Sequence, residues 1–235
     1  MKKNALFITV LLFILSGTSF AQKTVTDDGF YFKVGGFSPS YKYLVPLIWE
    51  NEDLEKPDEN DESYKLGPYF EIGNTYKLAD IDSHVLQIKV SWLDANLSKA
   101  TYKWEILDKK LTKELYAVQA SAFKIGPNFT YAINDKMGIE AYYQIAPVFS
   151  FWYDDSNYEA IYEDYDDNQR EQYALGVLHT TGLSFRYDKF AAGFNLNFGS
   201  ARDFDAAKKM DTYGGEVESY TYRMNSFRFY VGMKF

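Results

Sequence analysis

The chain carries few groups able to do covalent chemistry. It has no cysteine and two histidines, His84 and His179, so disulfides, thiol catalysis and a Cys-based metal site are out of reach. His179 stands two residues before Thr181, a spacing that puts an imidazole and a hydroxyl on one face of a β-strand, and a base beside an alcohol is the core of an activated nucleophile. A second set is ionic. Lys33, Lys65, Lys89, Lys124, Arg186, Arg228 and Lys234, with the carboxylates Glu71 and Glu140, share alternate positions with small and polar residues. Facing one another, such groups build a buried network of ion pairs and hydrogen bonds; lining a path, the cations would favour anions. A third set is acidic and aromatic: Asp154, Asp155, Asp164, Asp166 and Asp167 with Tyr158, Tyr162 and Tyr165, and Trp49 with Glu50, Glu52, Asp53, Asp58 and Asp61. Oxygen-rich runs suit Ca²⁺ or Mg²⁺. Neither run has the glycine and terminal glutamate of an EF-hand loop, so the question of a metal stays open and a solvated charge run is the default. No cofactor is implied. Trp49, Trp104 and Trp152 are candidates for interface anchors or a ligand surface.

The elements that position these groups announce themselves by alternation of period two. Phe30, Phe32 and Val34 face away from Tyr31, Lys33 and Gly35; Leu66, Pro68, Phe70 and Ile72 away from Lys65, Gly67, Tyr69 and Glu71; Leu86, Ile88, Val90 and Trp92 away from Gln87, Lys89 and Ser91. The same holds for Phe123 to Tyr131 against Lys124 to Thr130, for Ile139 to Phe151 against Glu140 to Ser150, and for Val177 to Phe185 against Gly176 to Arg186. Phe190 to Phe198 against Gly193, Asn195 and Asn197, and Phe227 to Phe235 against Arg228 to Lys234, complete eight segments. Most reach the roughly 9 to 11 residues that a tilted strand needs to cross a bilayer. With 21 Tyr and 19 Phe in 235 residues, the chain suits a single all-β domain.

Short turns at Ala79–Asp82, Asn134–Lys136 and Asp188–Lys189 alternate with long links from Ser38 to Ser63, Asp94 to Glu114, Asp154 to Glu171 and Ser200 to Glu218. That alternation predicts a closed antiparallel up-and-down transmembrane β-barrel of eight strands, with both chain ends on the periplasmic side. Tyr41–Ile48 and Thr101–Leu107 also look extended, so strands projecting beyond the bilayer, or an added pair making ten, stay open. Most of the 33 acidic residues fall in the long links and none on an apolar face, as lipid contact demands. A soluble barrel of lipocalin type would reverse the two faces. Residues 1–21 read as an export signal, with Lys2 and Lys3, an apolar run from Ala5 to Leu15 and Ser19-Phe20-Ala21 as the cleavage site; residues 22–235 form the barrel domain. Loss of two lysines and no acid takes the formal charge from -8 to -10, which speaks against nucleic acid.

In these features the chain resembles the small bacterial outer-membrane β-barrel proteins, with an eight-stranded barrel domain of OmpA/OmpX type. The resemblance spans residues 22–235, and its most specific part is the terminal strand, with Phe227, Phe229, Val231, Met233 and Phe235 alternating. The resemblance implies that this ending is the signal read by the barrel-assembly machinery, and that the protein lies in the outer membrane among lipid and lipopolysaccharide. Three tasks remain in view. The favoured one is a structural or surface-interaction role carried by acidic, aromatic extracellular loops. The second is a small passive porin-like channel. The third is a lipid-modifying enzyme, since some outer-membrane lipid A deacylases use a His-x-Ser pair on a lipid-facing strand with a nearby carboxylate. This chain has Thr181 where they have serine, and pairing through Asp188 and Lys189 sets Phe198 and Leu196 beside the pair instead of an acid. No catalytic residue is therefore assigned; the polar network predicted inside comprises Lys33, Glu71, Lys89, Lys124, Glu140, Arg186 and Arg228.

Overall fold

The structure is a computed structural model that describes residues 25–39, 62–106, 109–154, 171–203 and 221–235. The export signal and most of three long links lie outside the described residues, as do Tyr41–Ile48, Trp49 and the acidic runs.

Among the described residues, ten strands follow one another: β1 (Gly29–Pro39), β2 (Glu62–Lys65), β3 (Gly67–Ile81), β4 (His84–Ile106), β5 (Lys109–Ala132), β6 (Met137–Asp154), β7 (Glu171–Tyr187), β8 (Phe190–Asp203), β9 (Thr221–Arg223) and β10 (Ser226–Lys234). They make eight staves. β2 carries on the stave of β3, pairing with β4 at Lys65↔Lys99 beyond Tyr69↔Asn96. Similarly, β9 pairs with β8 at Arg223↔Ser200, beyond the β10 pair Ser226↔Asn197. Every neighbouring pair is antiparallel, and the ring closes where β10 pairs with both β8 (Phe229↔Phe194) and β1 (Val34↔Val231). Closure leaves no stave with an open hydrogen-bonding edge, which is the condition for strands to stand in hydrocarbon.

The two faces follow the alternation. On β8, Phe194, Leu196 and Phe198 are exposed while Asn195 and Asn197 are buried; on β7, Leu183 and Phe185 are exposed and Ser184 and Arg186 buried. The outside of the cylinder is thus apolar and the inside polar, the reverse of a soluble ligand-binding barrel. Two of the short turns are tight, at Asp82-Ser83 and Asp188-Lys189, with Asp82 (φ 51) and Asp188 (φ 55) in the left-handed region, where aspartate is tolerated because its short side chain bonds locally.

The structure departs from the sequence expectation in two linked ways. The predicted second long link, Asp94 to Glu114, is instead a β-hairpin: β4 and β5 run in unbroken register from His84↔Tyr131 to Ile106↔Lys109, apart from the position of Trp92 and Phe123. Both strands also carry an extra residue at that height. Trp92 falls in the shift of β4 against β3, and Phe123 (φ 56) in the shift of β5 against β6. Their rings meet edge-on at 5.7 Å, and Trp92 Nε1 donates to Asn74 Oδ1 at 2.7 Å. An extra residue reverses the facing of everything beyond it. Below the bulge Gln87, Lys89 and Ser91 face inward; above it Asp94, Asn96 and Ser98 do, with Leu93 and Leu97 outside.

An arginine on the apolar face at mid-height tests the partition of faces. Leu183→Arg is expected to cost about 2 to 4 kcal/mol of folding free energy in lipid vesicles, read by denaturant titration; an unchanged midpoint would mean that Leu183 does not meet lipid.

Candidate functional site: the barrel interior

Three carboxylates organise the interior, one more than the sequence reading assigned. Glu71, fully buried on β3, accepts on Oε1 from Tyr31 Oη at 2.8 Å, Ser91 Oγ at 2.8 Å and Lys33 Nζ at 3.2 Å, and on Oε2 from Lys124 Nζ at 3.1 Å and from Tyr69 Oη. Asp94 is held by Arg228, whose Nη1 lies 2.9 Å from Oδ1 and 2.7 Å from Oδ2, and by Lys124 Nζ. Glu140, nearer the short-turn end, receives Arg186 Nη1 at 3.2 Å, Ser184 Oγ at 3.3 Å and the charge of Lys89 Nζ at 3.6 Å. Lys124 therefore bridges Glu71 and Asp94, and the strands carrying those groups are tied across the cylinder. Such charges are tolerated at this burial only because each carboxylate has several donors around it.

Tyrosines complete the packing between the ions. Lys33 Nζ lies 4.4 Å from the Tyr230 ring centre and 4.6 Å from that of Tyr142; Lys89 Nζ lies 4.0 Å from Tyr142 and 4.7 Å from Tyr31. Those separations are within the range of cation–π attraction. Tyr142 Oη also meets Tyr230 Oη at 3.0 Å, accepts from Lys33 Nζ at 2.9 Å and contacts Asn195 Oδ1. The Tyr142 ring needs Gly182 beneath it: a Cβ at that position would collide with the ring, so a glycine in β7 here makes room rather than a bend.

Side chains pack at both ends of this polar zone. Towards the long links, Phe37, Ala117, Val148, Trp152, Ala174, Leu178, Ala201 and Met224 form a buried apolar cluster. Towards the short turns, the segment preceding β1 folds in: Val25 is buried, its carbonyl accepts from Arg186 Nη1, and Gln87 Nε2 donates to the Thr26 carbonyl at 3.0 Å.

All seven residues of the predicted network are buried here, and Lys234 with them. Lys65 departs from expectation: it is exposed, because its stave breaks at Leu66 and β2 pairs against β4 above the polar zone. Trp152 is likewise corrected, from an interface anchor to a buried member of the apolar cluster, since its even number continues the inward parity of Tyr142 and Gln144 on β6. Asp94 was missed because the strand was ended at Trp92 and Asp94 assigned to the second long link. The signal for it was the adjacent apolar pair Trp92-Leu93, after which Leu93, Ala95 and Leu97 resume alternation on the shifted phase. On the outer face, the His179 ring stacks on Phe198 at 5.3 Å and its Nδ1 lies 2.5 Å from Tyr143 Oη, while Thr181 Oγ1 donates to the Tyr142 carbonyl at 3.3 Å. His84 packs between Phe129 and Tyr131. Among the described residues no group of three or more His, Asp or Glu is placed to hold a metal ion. The terminal-strand residues Phe227, Phe229 and Val231 are exposed on the outer face, and Met233 and Phe235 half-buried.

No family description matches the sequence, and no curated protein does. Comparison with solved structures finds the attachment invasion locus protein Ail of Yersinia pestis (7% identity, TM-score 0.35, covering 88% of this chain and 97% of that one). It also finds the outer membrane protein OprG of Pseudomonas aeruginosa (10%, 0.37, 92% and 99%) and the outer membrane protease OmpT of Escherichia coli (8%, 0.46, 92% and 99%). The architecture rests on the chain's own geometry: a closed, eight-stave, antiparallel β-barrel, apolar outside and ion-paired within.

Asp94→Asn would leave Lys124 and Arg228 facing a neutral group. Removing one partner of a buried pair costs about 3 to 5 kcal/mol, so the detergent-solubilised barrel is expected to lose on the order of 10 °C in Tm. A variant that melts with the parent would show that Asp94 lies outside the network.

Proposed function

We propose that this chain is an integral outer-membrane barrel with a structural or surface-interaction role, a rigid cylinder that presents its acidic, aromatic links outside the cell and neither conducts solutes nor modifies lipid. The observation that carries the reading is the filled interior. Glu71, Asp94 and Glu140 with their cations occupy its middle, the Trp152 cluster one end and the Val25 segment the other. An eight-stranded cylinder is just wide enough for side chains to fill, and interlocked ion pairs are poor material for an ion path because each step would break several charge-assisted bonds. The aromatic neighbours of His179 support the non-enzymatic reading, since Tyr143 and Phe198 leave the imidazole without the carboxylate that would orient a base.

The apolar exterior supports placement among outer-membrane lipid and lipopolysaccharide, with the short turns and both chain ends on the periplasmic side and the links outward. In this reading the alternating Phe227, Phe229, Val231, Met233 and Phe235 address the chain to the barrel-assembly machinery. Most of the other three links lies outside the described residues, so the surface ligand is defined only by their acidic and aromatic chemistry.

Refolded protein in a planar bilayer is expected to remain electrically silent, while unheated and heated samples of the outer-membrane fraction migrate differently on a denaturing gel. Reproducible unitary currents would replace this reading with the channel.

A further inference from the structure

The described interior buries six cations, Lys33, Lys89, Lys124, Arg186, Arg228 and Lys234, but three carboxylates, Glu71, Asp94 and Glu140. The surplus is concentrated at the short-turn end. There a cavity of about 20 Å³ is lined by four of the cations, Lys33, Lys89, Arg186 and Lys234, and by a single carboxylate, Glu140. Thr75 lines it as well.

Three donors around this cavity have no hydrogen-bond partner: Lys234 Nζ, Arg186 Nε and Thr75 Oγ1. All three residues are buried, at 8%, 3% and 2% exposure. A buried donor without an acceptor costs about 1 to 3 kcal/mol, more when charged, so a convergence of three on one cavity calls for a common acceptor. Glu140 cannot serve all of them, because its oxygens already receive Arg186 Nη1, Ser184 Oγ and the charge of Lys89. Glu71 is engaged by five donors of its own. At the mouth, Asp28 is exposed, accepts from the Lys77 backbone N–H, and its negative charge also acts on Lys234. Asp27 faces Lys77 Nζ at 4.0 Å.

We propose that this cavity is a binding site for a small inorganic anion of halide size, chloride in the first instance, held by Lys234 Nζ, Arg186 Nε and Thr75 Oγ1 within the cationic end of the barrel. Size and charge both select it. About 10 to 15 Å³ of such volume holds one water-sized guest, so phosphate and organic carboxylates are too large. A water molecule would bring two hydrogens into a ring of donors. A monatomic anion brings acceptor capacity alone and offsets part of the excess positive charge. With Val25 and Arg186 joined beneath the site, the anion is a structural one that ties β3, β7 and β10 together.

The test uses the refolded full barrel in detergent at fixed ionic strength. Replacing sodium gluconate by sodium chloride or bromide is expected to raise the Tm saturably, by about 2 to 4 °C at roughly five times the dissociation constant. Lys234→Met and, separately, Thr75→Val should abolish that dependence while each barrel still shifts mobility on heating. Crystals soaked in bromide should show anomalous density within hydrogen-bonding distance of Lys234 Nζ, which reads the site directly even if a variant fails to fold. Equal Tm in gluconate and bromide, a halide effect that survives both substitutions, or soaked crystals without that density would overturn the assignment.

Discussion

Everything in this barrel depends on how it handles buried charge. A cylinder of eight staves has room inside for side chains and little else, so the lysines and arginines that alternation sends inward must find carboxylates, tyrosine rings or hydroxyls there. Lys124 does so by bridging Glu71 and Asp94, and Arg228 by holding Asp94 with two short contacts. These links span the cylinder, and the contacts reach between residues as far apart in sequence as Asp94 and Arg228. The outside wall contributes no comparable cross-link, since its Phe, Leu and Val side chains contact one another along adjacent staves and would gain nothing by preferring each other over lipid tails.

That division of labour explains the aromatic richness of the chain. Phenylalanine dominates outside, where Phe194 stacks with Phe227 and Phe32 with Phe235. Tyrosine dominates inside, where a ring can fill space and a hydroxyl can satisfy an ion: Tyr31 and Tyr69 donate to Glu71 while Tyr31 and Tyr142 give their faces to Lys89. The interior glycines belong to the same design. Gly182 and Gly73 are small where the rings of Tyr142 and Tyr31 lie against the wall, so removing a side chain from one stave admits a large one from another.

The paired bulges at Trp92 and Phe123 deserve the same physical reading. They change the phase of two neighbouring staves at one height, which brings Asp94 inside opposite Arg228 and sets the polar zone against the apolar cluster above it. The Trp92 indole, edge-on to Phe123 and hydrogen-bonded to Asn74, keeps its polar atom satisfied on a largely apolar face. A phase change of this kind is marked in the sequence only by the adjacent apolar pair Trp92-Leu93, yet it decides which carboxylates the interior holds.

The amino-acid sequence by itself determined the class of the fold, the short turns at Asp82 and Asp188, and the facing of Lys33, Glu71, Lys89, Lys124, Glu140, Arg186 and Arg228, and it left the choice between eight and ten strands to the structure. It could do so because a strand between two unlike surroundings writes its orientation into every second residue. Tertiary structure decided what that period left open: the inward turn of Asp94, the exposure of Lys65, the fold of Val25 into the short-turn end, and the pairing of ions from distant staves. Those outcomes follow from closing the ring. The staves are staggered against one another when a sheet becomes a cylinder, and only that stagger and its bulges settle which inward groups stand at the same height.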